Sequence, residues 1–159
     1  MILLTIGTQL PFDRLVQALD EITPLLRHEV FGQIGQSEYT PVNMQWSAFL
    51  GADEFDVRFR AASVVVSHAG IGTILSAQKY RKPLIIVPRL ARYGEHRNDH
   101  QLATANQVRE KRGVYVAEDV DALPGLLGRD DLEPAGDDDE LPGRMMFVNN
   151  LRGYVAGWQ

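Results

Sequence analysis

Residues 64–73 read Val64-Val65-Val66-Ser67-His68-Ala69-Gly70-Ile71-Gly72-Thr73. Three consecutive β-branched residues favour a strand, and an apolar run without alternation suits one buried on both faces. The run ends in a serine, a histidine and two closely spaced glycines, and residues 73–80 then read as a helix. A plain reversal needs only Asn-Gly or Asp-Gly. This turn instead brings polar groups and bare backbone to one point. Strand, glycine turn and helix form the unit of a parallel α/β sheet, which binds ligands at the carboxyl ends of its strands.

Outward from that unit, apolar runs at residues 2–6, 30–34, 44–49, 84–88 and 114–116 predict further strands, the third being the weakest pattern. Helical spacing alternates with them. Residues 11–22 put Leu15, Val16, Leu19 and Ile22 on one face, with Pro11 near the first turn. Residues 53–62 and 73–80 follow, then 99–112, which ends at Gly113, and 120–127. The alternation predicts an α/β fold, a Rossmann-like doubly wound parallel sheet with right-handed crossovers. No internal repeat is visible.

The chain has 159 residues, 45% of them hydrophobic, which is enough for one compact domain, expected over residues 1–127. The formal charge of −5 is misleading as a whole-chain figure. Residues 128–144 hold seven acids and two bases, and the rest of the chain holds 14 of each sign. The body is therefore near neutral and is followed by an acidic segment that reads as a solvated linker. Without a basic stripe, no nucleic-acid partner is expected. Cysteine is absent, which rules out disulfides and thiolate metal sites and is compatible with a reducing cytoplasm. The start of the chain reads as a first strand rather than a signal peptide. No segment approaches the roughly 20 apolar residues of a membrane span. Residues 145–159, "MMFVNNLRGYVAGWQ", place Phe147, Leu151, Tyr154, Val155 and Trp158 on one helical face. That C-terminal helix has three readings: packed on its own domain, docked on a partner, or disordered.

Three polar turns fall at strand ends: Gly7-Thr8-Gln9, the turn that opens this section, and residues 89–101, "RLARYGEHRNDHQ". In the second, Gly70 and Gly72 let backbone N–H groups approach an anion, and the next helix points its positive end there. Ser67 and Thr73 add hydroxyls, and His68 can donate to a phosphate oxygen. This is the chemistry of a diphosphate seat; the alternative is a tight turn with a capping histidine. It is neither the dinucleotide fingerprint nor a Walker loop. The third turn is too long to be a mere connector. In it Asp99 is either a plain N-cap or a ligand contact, and His96, Asp99 and His100 leave a metal site open as a further alternative. His28 reads as structural.

Two blocks, "SHAGIGTILSAQKYRKPLIIVPR" and "GEHRNDHQLATANQV", resemble the carboxyl-terminal, donor-binding domain of glycosyltransferase family 28. The opening "TIGTQLPFDRL" resembles the first turn of the small catalytic subunits of split dolichol-pathway members, and "RYGEHRNDHQ" resembles split bacterial exopolysaccharide relatives. The resemblance covers roughly residues 1–127 and implies half of a GT-B fold. It implies that Gly7, Thr8, Ser67, His68, Gly70, Gly72 and Thr73 line or hold a donor diphosphate. It also implies that Asp99, His100 and Gln101 meet the donor sugar, and that the backbone near Phe49 and Leu50 frames the uracil. Family members often carry a ribose-binding Glu where this chain has Ser76, and a serine hydroxyl is the weaker partner.

A GT-B enzyme needs a second domain for the acceptor and the usual general base. The resemblance therefore implies a membrane-associated acceptor-binding subunit, and it leaves the base unidentified in this chain. The expected reaction is inverting transfer of a hexosyl group from a UDP-sugar to a lipid-linked acceptor, in exopolysaccharide or glycolipid biosynthesis at the cytoplasmic face of the membrane. His68 would stabilise the leaving diphosphate. No Asp-x-Asp clamp occurs, and neither metal nor cofactor is expected. The alternative is a non-catalytic nucleotide-sugar binding or regulatory module; a metal-dependent hydrolase built on His96, Asp99 and His100 is a third reading.

Overall fold

The structure, a computed structural model, describes residues 1–136. The expected C-terminal helix at 145–159, and the acidic segment beyond residue 136, lie outside the described residues. Six strands form one sheet: β1 (Ile2–Thr5), β2 (Val30–Gln33), β3 (Gln45–Ser47), β4 (Val64–His68), β5 (Leu84–Val87) and β6 (Val114–Val116). All pair in parallel, in the order β3-β2-β1-β4-β5-β6. Helices α1 (Asp13–Ile22), α2 (Ala52–Ala61), α3 (Ile71–Tyr80), α4 (His100–Val108) and α5 (Leu123–Leu127) connect and cover them.

Strand side chains alternate between faces, so the unbroken apolar runs feed two cores. Ile2, Leu4 and Ile6 pack with Leu15, Val16 and Leu19 of α1 and Leu123 of α5. Leu3 and Val65 point the other way, to Phe59 of α2, Ile74 and Ala77 of α3, and Ala105 and Val108 of α4. Burying each of the Val, Leu, Ile and Phe side chains among these contributes about 1.5–3 kcal/mol. Because both faces are covered, no polar alternation is needed. This is the doubly wound, Rossmann-like architecture that the sequence predicts.

The strand order fixes where a ligand can enter. From β1 the chain moves outward through β2 and β3, then returns to β4 on the other side of β1. Beyond the paired residues Thr5 and Ser67, the connections leave β1 and β4 toward opposite faces. A crevice opens between them at the carboxyl ends.

Most boundaries differ from the sequence pattern by a residue or two, and three helical segments differ in ways that matter. Helix α3 begins at Ile71 with Gly70 as N-cap, so Gly72 and Thr73 lie within its first turn rather than before it. Helix α4 stops at Val108, and residues 120–127 divide into a 3₁₀ turn and α5. The described start of the acidic segment lies against the body. Ala135 is fully buried, its N–H donating to the Lys82 carbonyl at 3.1 Å, and Glu133 N–H donates to the Tyr115 hydroxyl at 2.8 Å. This strap crosses the amino ends of β5 and β6. Gly113, at φ +76°, makes room for it: a Cβ there would lie 2.2 Å from the Ala135 nitrogen.

Candidate functional site

A cavity of about 1000 Å³ occupies the crevice. Gly7, Thr8, Gln9 and Leu10 line it from the turn after β1. His68, Gly70, Gly72, Thr73 and Ser76 line it from the end of β4 and from α3. Arg89, His96, His100, Gln101 and Thr104 form the wall after β5, and Leu50, Phe55 and Asp56 close the side toward α2. Nearly all the residues singled out in the sequence meet here, although they span most of the chain.

His68 occupies the centre, its ring held between two glycines. A Cβ on Gly7 would lie 3.1 Å from the ring Cε1, and one on Gly70 would lie 2.1 Å from Nε2. At Gly72, by contrast, a Cβ would meet nothing within 4 Å. The two glycines of the motif thus do different work: Gly70 accommodates the ring, and Gly72 leaves open space beside the helix terminus. Burial, chiefly, and the nearby Arg89 charge lower the His68 pKa from 6.5 to about 3. The ring is therefore neutral at pH 7 and carries a single N–H, for which the Thr5 backbone is an acceptor within the protein. Ser67 is fully buried behind it and does not line the cavity; its hydroxyl donates to the His68 carbonyl at 2.9 Å.

The first three N–H groups of an α-helix have no acceptor within the helix. In α3 these belong to Ile71, Gly72 and Thr73, all of which line the cavity. Together with the helix dipole they make a local site for negative charge. Ser76 follows one turn later on the same wall.

The wall after β5 is fastened mainly from α1. Arg14 pairs with Glu95 and with Asp119, both at 3.0 Å, and stacks 4.8 Å from the Tyr93 ring. Asp99 faces that loop: it accepts the Ala91 N–H at 3.0 Å and does not line the cavity. Asp99 occupies the N-cap position of α4 without a side-chain cap bond, while Asn98 accepts the His100 N–H at 3.0 Å. Gln101 accepts the Arg89 N–H at 3.0 Å. Leu50 lines the cavity and Phe49 does not. His28 lies at the far, amino end of the sheet.

Three residues that position the site were missed by the sequence pattern: Arg14, Gln33 and Arg89. Gln33 accepts the Thr5 hydroxyl at 2.7 Å and donates to the carbonyls of Gly7, at 3.1 Å, and Ala48, at 3.0 Å. It thereby ties two strand-end turns together. A glutamine inside a buried strand was the available signal, because such a group is retained only with partners. Among the described residues, no three His, Asp or Glu side chains come together to hold a metal ion, which removes support for the site on His96, Asp99 and His100. No described helix is long and apolar enough to cross a membrane.

Comparison with known proteins places the chain in a family and finds solved structures of similar fold. Residues 1–124 match the family model described as glycosyltransferase family 28 C-terminal domain. The UDP-N-acetylglucosamine transferase subunit ALG13 of Yarrowia lipolytica (strain CLIB 122 / E 150) is 22% identical over 142 residues, covering 77% of this chain and 67% of the relative. Among solved structures, the glycosyltransferase SsfS6 of Streptomyces sp. SF2575, complexed with thymidine diphosphate, aligns with a TM-score of 0.53 at 25% identity. That alignment covers 79% of this chain but 30% of the Streptomyces chain. The chain thus spans about a third of the length of this solved glycosyltransferase.

Proposed function

The chain belongs to the glycosyltransferase family 28 C-terminal domain family, and from that premise we propose that it is the donor-binding, catalytic half of an inverting UDP-sugar-dependent hexosyltransferase. A separate membrane-associated chain supplies the acceptor site and the general base, and the acceptor is a lipid-linked sugar of exopolysaccharide or glycolipid synthesis. The pair works at the cytoplasmic face of the membrane. One observation carries this reading: the amino end of α3 and a neutral His68 converge on one cavity at the switch point of the sheet. The diphosphate in the related Streptomyces enzyme and the subunit character of the Yarrowia relative support it.

In this mechanism the acceptor hydroxyl oxygen attacks the anomeric carbon from the side opposite the diphosphate. The new C–O bond forms as the bond to the phosphate oxygen breaks, and the hydroxyl proton passes to a base on the partner. Negative charge grows on the departing UDP. It is met by the N–H groups of Ile71, Gly72 and Thr73, already in place, and by the neutral imidazole of His68 in the tautomer that carries its N–H on the cavity side. A neutral histidine suits this role because it donates a hydrogen bond without having to lose a proton at working pH. His100 and Gln101 border the sugar, Ser76 the ribose, and Leu50 the base. The seat calls for no divalent cation.

Calorimetric titration of the chain with UDP, in the presence of EDTA, tests the reading. Binding should weaken at least about tenfold in His68→Ala, roughly 1.4 kcal/mol. Parallel titrations with UDP-glucose, UDP-glucuronate and UDP-N-acetylglucosamine then identify the donor. Equal affinity in the variant, or no UDP binding with or without the partner chain, overturns it. Binding without transfer in the reconstituted pair would favour the non-catalytic module instead.

A further inference from the structure

Arg89 follows β5 and is 4% exposed, yet no carboxylate pairs with it among the described residues. Its Nη2 donates to two backbone carbonyls of the first turn, Ile6 at 2.8 Å and Leu10 at 2.7 Å. Its guanidinium lies 5.1 Å from the Phe12 ring, and its buried Nε has no hydrogen-bond partner. The nearby acid, Glu95, is taken up by Arg14. A buried guanidinium whose hydrogen bonds go only to neutral groups is costly to retain for stability alone. This one borders the same cavity as Gly7, Thr8 and His68.

We propose that Arg89 is the positioning cation of the site: through two carbonyls it holds the turn of residues 7–10 against the cavity, and it sets fixed positive charge beside the diphosphate seat. The proposal rests on reading the cavity as a nucleoside-diphosphate-sugar site. Burial lowers the Arg89 pKa only to about 10, so the charge persists at neutral pH. The charged and titratable groups that face the His68 ring are Arg89 and His96. No carboxylate among them draws a proton onto the ring. Arg89 thereby also helps keep the imidazole a neutral donor, and its charge attracts the diphosphate without a direct contact.

The test uses the full chain, with UDP and uridine as probes. Arg89→Met should weaken UDP at least about tenfold while changing uridine less than about threefold, since uridine carries no charge to attract. The His68 imidazole, followed by NMR, should titrate at higher pH in the variant than in the parent chain. Equal losses for UDP and uridine, with the His68 titration unmoved, would mean a purely structural residue and overturn the proposal. Where Arg89→Met does not fold, Arg89→Lys carries the test. It keeps the charge, so UDP affinity should stay within about threefold and His68 should remain neutral; a charge-retaining lysine that loses UDP but not uridine overturns it. Should UDP fail to bind both with and without the partner chain, the functional reading fails, whereas the His68 titration still reports on Arg89.

Discussion

Glycine does opposite work at the two poles of this sheet. At the amino pole the space beside Gly113 is filled by the protein itself, with the Ala135 backbone 2.2 Å from where a Cβ would sit. At the carboxyl pole the space beside Gly72 holds nothing within 4 Å. One vacancy closes the fold and the other faces a cavity. Gly70 lies between these cases, its space taken by a side chain of the site, the ring of His68. A glycine in a motif therefore signals absent bulk but does not say what uses the room.

Substitutions at the three glycines should separate these uses. Gly113→Ala combines a clash against backbone with a left-handed φ of +76°. It should lower unfolding stability by about 3 kcal/mol or more, measured by denaturant melts, with UDP affinity unchanged wherever the chain is folded. A variant as stable as the parent would mean that the strap of residues 132–136 is easily displaced. Gly70→Ala should expel the His68 ring and cost about 10²-fold in transfer rate with the partner chain, near 3 kcal/mol. Combining it with His68→Ala should add little, since both remove one donor; additive losses would give Gly70 a role of its own. Gly72→Ala should leave stability unchanged or raise it by up to about 1 kcal/mol, as expected for alanine in a helix. The same change should weaken UDP about tenfold if phosphate lies over this turn, and unchanged affinity would move the seat elsewhere.

Acid stability should also report on the site. His68 and His96 both have folded pKa values below 6.5, mainly through burial. The unfolded chain therefore binds more protons than the folded one below that pH. The stability these groups support is complete above about pH 6.5 and declines as pH falls. Asp20, also lowered from its ordinary 3.8, adds its own loss only under stronger acid. Between pH 6.5 and 4.5 the decline should be shallower in His68→Asn than in the parent chain; identical slopes would assign the effect to other groups.

Much of the fold was legible because it is local. The run at residues 64–66 and the glycines after it mark a buried strand entering a helix, and the same grammar repeats along the chain. The polar turns at strand ends were legible for the same reason, since a parallel sheet gathers them whatever their separation in sequence. The groups that hold those turns in place were not. Arg89 meets Ile6 and Leu10, Arg14 meets Glu95, and Gln33 meets Gly7 and Ala48, all across the fold. Such pairings leave no periodic trace. Ser67 and Asp99 illustrate the converse. Both belong to motif blocks, yet one sits behind the histidine and the other braces a loop. Residue type and spacing placed them near the cavity but could not fix which way their side chains turn.

The Arg14 brace has a kinetic consequence. The loop it holds through Glu95 and Tyr93 is ordered before any ligand arrives, so its conformational entropy is lost on folding rather than on binding. UDP should therefore associate in a single exponential phase whose rate rises linearly with concentration, with no slower plateau from loop closure. Releasing the brace in Arg14→Ala should introduce that plateau, observable by stopped-flow, and so turn an encounter set by diffusion into one gated by the wall of the site.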